Sequence, residues 1–191
     1  LYSSDYVGDK VFVIEANNFA AIAQGAKADG ESELLDVNGF YTIFYSAKFK
    51  LDGSKKNFVD GFAGTQRFNW GGGTVIGETT KNAIEIVVDG TATVKVWWIC
   101  GGDGREIGIF DENGDLVVAS QTEDVFTEGT EGVGAGKNGV YLSELSLDAA
   151  GKYYIGTDNT NAVKNGGNII CKVEVTVTPA EEVEVPELKV E

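Results

Sequence analysis

Two tryptophans stand side by side in the run TATVKVWWIC, residues 91–100. In an extended strand successive side chains point to opposite faces, so Val94, Val96, Trp98 and Cys100 share one face and Lys95, Trp97 and Ile99 the other. Valine company assigns Trp98 to the core and leaves Trp97, beside Lys95, on the outer face. An aromatic ring on an open strand face can stack on the apolar C–H face of a pyranose, whose rim then hydrogen-bonds to polar groups nearby. The alternative is a Trp97 ring covered by a loop or a neighbouring strand. In TQRFNWGGG, residues 65–73, Arg67 shares a face with Asn69, and Phe68 with Trp70. The planar guanidinium of Arg67 suits carboxylates and sugar hydroxyls, or a surface ion pair. Arg105, just after the GGDG loop, is a fourth candidate.

Other chemistries are narrowed by composition. The chain has no His, which removes every imidazole-based triad and every His-ligated zinc site. Two carboxylates suffice for a glycosidase, but no spacing among the 30 acidic residues singles out a pair. The pleat count places Cys171 with Ile169, Val173 and Val175, so both Cys100 and Cys171 are expected to face the core, either joined in a disulfide or as two buried thiols. The run DENGD, Asp111 to Asp115, resembles part of a calcium loop but lies between two strand-like runs, where a hairpin turn is expected. No cofactor is expected; the carboxylate content is compatible with a structural Ca²⁺ ion. A net charge of −15 opposes nucleic acid and anionic membranes.

The elements that position these residues are strands. Asn82 to Ser120 runs NAIEIVV, Asp89-Gly90, TATVKVWWIC, GGDG, REIGIF, Asn113-Gly114, DLVVAS, and its Asp-Gly and Asn-Gly pairs predict hairpin turns in an antiparallel meander. GVYLSELSL and GKYYIGT follow, then NIICKVEVTV; upstream lie KVFVIEA, FYTIFYSAKFKL with an Asp52-Gly53 turn, and GTQRFNW. Nine or ten strands in one chain predict an all-β, two-sheet antiparallel sandwich of jelly-roll type. One domain is expected over 1–178, with 17–38 and 121–138 as long connections, the former a loop or short helix. The acidic stretch 179–191, carrying both prolines, is expected to be a linker, or an added edge strand. With no Met and no apolar run of membrane-spanning length, the chain is expected to be a monomeric module of a longer exported protein, without membrane insertion.

The succession TQRFNWGGG, NAIEIVVDGTATVKVWWICGG, GREIGIFDENGDLVVAS, LSLDAAGKYYIGT and NIICKVEVTV resembles a jelly-roll module appended to bacterial pectate lyases and other polysaccharide-degrading proteins. The resemblance implies a β-sandwich that is secreted or at the cell surface and holds a catalytic neighbour, or a cell, to plant or other polysaccharide. On this reading the chain is a non-catalytic carbohydrate-binding module using Trp97, Lys95, Arg67 and Arg105, whose partners are polysaccharide and other modules of the same polypeptide. The alternatives are a structural or adhesive domain of a large bacterial surface protein with no glycan ligand, and a carboxylate-based glycosidase or lyase. The chain departs from the pattern before Gly64, at WWIC, and in the acidic stretch between Ser120 and Gly139.

Overall fold

A computed structural model describes residues 8–19, 33–37, 40–120, 125–126, 138–158 and 166–179. They form thirteen strands: β1 (Lys10–Glu15), β2 (Glu33–Val37), β3 (Tyr41–Tyr45), β4 (Lys50–Asn57), β5 (Ala63–Asn69), β6 (Ala83–Val88), β7 (Gly90–Ile99), β8 (Ile107–Phe110), β9 (Leu116–Ala119), β10 (Val125–Phe126), β11 (Val140–Leu147), β12 (Gly151–Thr157) and β13 (Ile169–Pro179). A seven-stranded sheet has the order β10-β11-β7-β13-β5-β4, with β1 beside β13, and a six-stranded sheet the order β2-β3-β6-β12-β8-β9. All pairings are antiparallel. The fold is the expected all-β sandwich. No helix among the described residues is long and apolar enough to cross a membrane.

The local connections depart from the expected meander. β6 lies in the six-stranded sheet and β7 in the other, so Asp89-Gly90 carries the chain between sheets and closes no hairpin. The chain changes sheet again from β7 to β8, from β11 to β12 and from β12 to β13, a jelly-roll habit of alternating between layers. Nor does Asp52-Gly53 turn. It runs inside β4, where the register against β5 shifts between Gly53 and Lys56, and the turn before it is at 46–49, closed by Phe49 N–H donating to the Ser46 carbonyl at 2.9 Å. Only Asn113-Gly114 makes the expected hairpin, joining β8 to β9, and there Gly114 has φ +85°. Its Asp111 Oδ1 accepts from the backbone N–H of Asn113 and of Asp115, both at 2.9 Å. Those bonds, that from Asp115 foremost, hold the Asp111 carboxyl below its ordinary pKa.

The interior follows from period-two alternation. Val94, Val96 and Trp98 of β7, with Cys100 just after it, meet Ile84 and Ile86 of β6, Ile107 and Ile109 of β8, and Val173, Val175 and Val177 of β13 in one core. Trp98 is fully buried, stacked on Tyr141 at 4.7 Å, and its indole N–H donates to Ser143 Oγ at 2.9 Å. Phe68 and Trp70 join the same core, leaving Arg67 and Asn69 outward. A smaller cluster of Ala83, Phe110 and Tyr154, with Phe44 and Ile76 against it, lies apart from that core.

The expected long connections hold some regular structure. In 17–38, Glu33–Val37 is strand β2, and a 3-10 turn, Ala16–Asn18, follows β1. In 121–138, Val125–Phe126 is strand β10. β13 extends through Pro179, which pairs with Gly90. The remainder of 17–38 apart from Asn17, Asn18, Phe19 and β2, the remainder of 121–138 apart from β10 and Asn138, and 180–191 lie outside the described residues.

Candidate functional site

Trp97 points out of the core, as its place in the pleat requires, yet only 3% of it is exposed. The expectation of a ring open to solvent is therefore corrected. Residues 58–62, between β4 and β5, fold over it: the indole N–H donates to Asp60 Oδ2 at 3.0 Å, and the Phe62 ring meets it edge-on with centroids 5.9 Å apart. Lys172, opposite Trp97 on β13, holds its ammonium 4.1 Å from the ring centroid. Phe58, Ile99, Val140 and Cys171 complete this second cluster. It is a small core on the outer side of the sheet, and a sugar could reach the ring only by displacing that loop.

The other three candidates are committed to protein partners and do not converge. Lys95 sits opposite Glu144 on β11 and Glu174 on β13, with Nζ 3.5 Å from Glu144 Oε2. Arg67 lies on β5, beyond β13, where Nε donates to Asp52 Oδ1 and Asn69 Nδ2 donates to Asp52 Oδ2 at 3.2 Å. Arg105 donates from Nη1 to the Gly167 carbonyl at 3.2 Å. Its guanidinium fills space left by missing side chains: a Cβ at Gly102 would stand 2.7 Å from Arg105 Cζ, and one at Gly166 2.3 Å from Nη2. It holds two loops together.

The cysteines are also corrected. Both are buried thiols with no disulfide between them. A register shift between Ile170 and Lys172 inverts the pleat, so Ile170 and Val173 both enter the main core while Cys171 faces the Trp97 cluster. Cys100 lies in the main core, so the two thiols are on opposite faces of one sheet. Burial pushes Cys171 up to about 12 and raises Cys100 as well.

Among the described residues a concavity lies elsewhere, along the side of the sandwich where β9 and β11 approach each other. β9 is an edge strand of the six-stranded sheet. Across from it, β10 pairs only with Tyr141 and Leu142 of β11, so the rest of β11 has β7 as its partner among the described strands. Between β9 and β11 opens a cleft of about 600 Å³ lined by Val117, Val118, Ala119, Glu144, Leu145, Ser146, Asp148, Ala149 and Tyr153. In YLSELSLD the pleat turns Leu145 and Leu147 inward and exposes Glu144, Ser146 and Asp148. Tyr153 reaches in from β12, its hydroxyl donating to the Ala149 carbonyl at 3.0 Å. The cleft thus combines an apolar floor of Val118, Leu145 and Tyr153 with a rim of two carboxylates and a hydroxyl. The alternation that exposes Glu144, Ser146 and Asp148 is readable in the sequence. The approach of β9 is not, because it depends on which sheet each strand joins. Of the four sequence candidates only Lys95 reaches this place, through its ion pair with the rim residue Glu144. Among the described residues no three Cys, Asp or Glu side chains converge on a point that would hold a metal ion.

No protein-family model and no curated protein matches the sequence. Among solved structures, the chain is similar to one reported for glycan recognition in the Ruminococcus flavefaciens cellulosome, at 13% identity and TM-score 0.42, over 90% of this chain and 97% of that one. It is similar to the C-terminal CBM6 of LamC, a marine laminarinase from Zobellia galactanivorans, at 11% identity and TM-score 0.35, over 87% and 99% of the two chains. It is also similar to an exo-β-1,3-galactanase from Phanerochaete chrysosporium, at 14% identity and TM-score 0.35, over 85% of this chain and 28% of that one. At such distances the likeness carries no ligand across to this chain.

Proposed function

We propose that this chain is a non-catalytic carbohydrate-binding module, one part of a larger extracellular bacterial protein, and that it holds sugar in the cleft between β9 and β11. The observation that carries the reading is the pairing, in one concavity, of the apolar residues Val118, Leu145 and Tyr153 with the acceptors Glu144, Ser146 and Asp148. A pyranose presents that same pair of surfaces, an apolar C–H face and a rim of hydroxyl donors. Carboxylates are strong acceptors for hydroxyls, and charge-assisted bonds are roughly twice as strong as neutral ones. The part first assigned to Trp97 passes to this floor.

Glu144 and Asp148 are four residues apart, with Asp148 just past the end of β11, and assay for released reducing sugar separates binding from cleavage at this pair. The test is affinity electrophoresis of the isolated chain through gels containing neutral or acidic polysaccharides, with and without calcium. A neutral polysaccharide is expected to retard the wild-type chain, and Asp148→Ala with Ser146→Ala to abolish the retardation with circular dichroism unchanged. Retardation that survives the double variant would move the site elsewhere. No retardation on any gel would replace this reading with a structural or adhesive domain, and release of reducing sugar would make the chain an enzyme.

A further inference from the structure

The charge around the cleft carries the reading further, to the class of sugar. Glu144 and Asp148 both line it, and among the described residues no Lys or Arg does. Lys95, which pairs with the rim, is already engaged: its ammonium lies 3.5 Å from Glu144, and Glu174 stands opposite it on the other side. The chain as a whole carries −15. A carboxylated sugar entering this place meets like charge on the rim, with no guanidinium or ammonium among the described lining residues to receive it. A protonated amine meets two exposed acceptors whose charge is only partly offset, an attraction that water and salt screen and that is therefore strongest at low salt. Resting on the assignment of the cleft as the glycan site, we propose that it selects by charge: glycans with free amino groups bind tightest, neutral glycans less, and uronic-acid polymers are excluded.

The probes are a glucosamine oligomer, the same oligomer with every amine acetylated, and an oligogalacturonate, titrated against the full chain by calorimetry at low salt. The amine-bearing oligomer is expected to bind roughly tenfold more tightly than its acetylated counterpart, with no heat from the galacturonate. Because any polycation is drawn to an acidic protein, the site is separated from the bulk charge by two double variants that each remove two negative charges. Glu144→Gln with Asp148→Asn should abolish the preference for the amine. Glu78→Gln with Glu112→Gln, two exposed carboxylates outside the cleft, should leave it intact. Equal loss in both variants would assign the preference to overall charge and overturn the proposal. Equal binding of the two glucosamine oligomers, or binding of the galacturonate, would overturn it while leaving the cleft as a glycan site. If none of the three oligomers binds, the selection falls, and the carbohydrate reading falls with it only when the polysaccharide gels also show no retardation.

Discussion

Trp70 is fully buried against Phe49 and Phe68, and its indole N–H is a buried donor without an acceptor among the described residues. An orphaned donor costs about 1 to 3 kcal/mol, so Trp70→Phe removes a penalty along with some packing, and the two nearly offset. Trp98→Phe loses packing and the bond to Ser143 together. Urea denaturation is expected to place Trp70→Phe within about 1 kcal/mol of wild type and Trp98→Phe well below it; equal losses would mean that the Trp70 N–H is satisfied in solution. The buried thiols and Tyr154 set the alkaline limit. Cys171 and Tyr154 are each pushed up to about 12, chiefly by burial, so above pH 9 the unfolded chain releases protons that the native state retains. Stability is then complete below about pH 9 and falls as pH rises toward 12, by up to about 1.4 kcal/mol per pH unit for Cys171. The urea midpoint should decline across that window, and less steeply in Cys171→Ala; an unchanged slope in the variant would remove Cys171 as a cause. At this scale the pleat of TATVKVWWIC was legible in the sequence, and it put Trp97 and Trp98 on the correct faces. The exposure of Trp97 was not, because the segment that covers it comes from more than 30 residues upstream, brought there by β4 and β5.

At the scale of elements, three similar dipeptides behave in three ways. Asn113-Gly114 turns a hairpin, Asp89-Gly90 passes the chain between sheets, and Asp52-Gly53 lies within a strand. The difference is in the backbone: of the three glycines only Gly114 has positive φ. Gly114→Ala therefore forces a side chain into the left-handed region, with its Cβ 3.4 Å from Ile76, at a cost of about 1 kcal/mol. Gly53→Ala meets only the Thr65 carbonyl oxygen, at an ordinary 3.7 Å, and should leave stability within about 0.5 kcal/mol. Thermal melts of the two variants test this, and a larger loss at Gly53 would place the strained turn at the wrong dipeptide. A sequence shows where the chain can turn, which is why its strand-like runs coincide with β5 to β9 and β11 to β13. It does not show whether the next strand pairs with the last or crosses to the other layer, since long-range burial decides that. The bulge in β13 is the same limit in miniature. One residue out of register sends Cys171 to the opposite face from its alternate neighbour Val173, and nothing in NIICKVEV marks it.

The whole molecule is governed by its charge. At −15 the folded chain concentrates like charges that the unfolded chain spreads apart, which destabilises the compact state and is relieved as salt shortens the Debye length to about 8 Å at physiological ionic strength. The exposed ion pairs, Lys10 with Asp89 and Lys95 with Glu144, act in the opposite sense, but water and salt screen them and they contribute little. Raising sodium chloride from about 0.02 to 0.3 M is therefore expected to raise the urea midpoint. Binding of a neutral polysaccharide in the β9–β11 cleft depends on short-range contacts, namely apolar burial and hydroxyls donating to Glu144, Ser146 and Asp148. Its affinity should stay constant within about twofold over the same salt range. The two measurements together separate the forces that hold the fold from those that would hold a sugar. If the affinity fell with salt as steeply as long-range charge attraction requires, the contacts proposed for the cleft would not be those that bind the neutral chain.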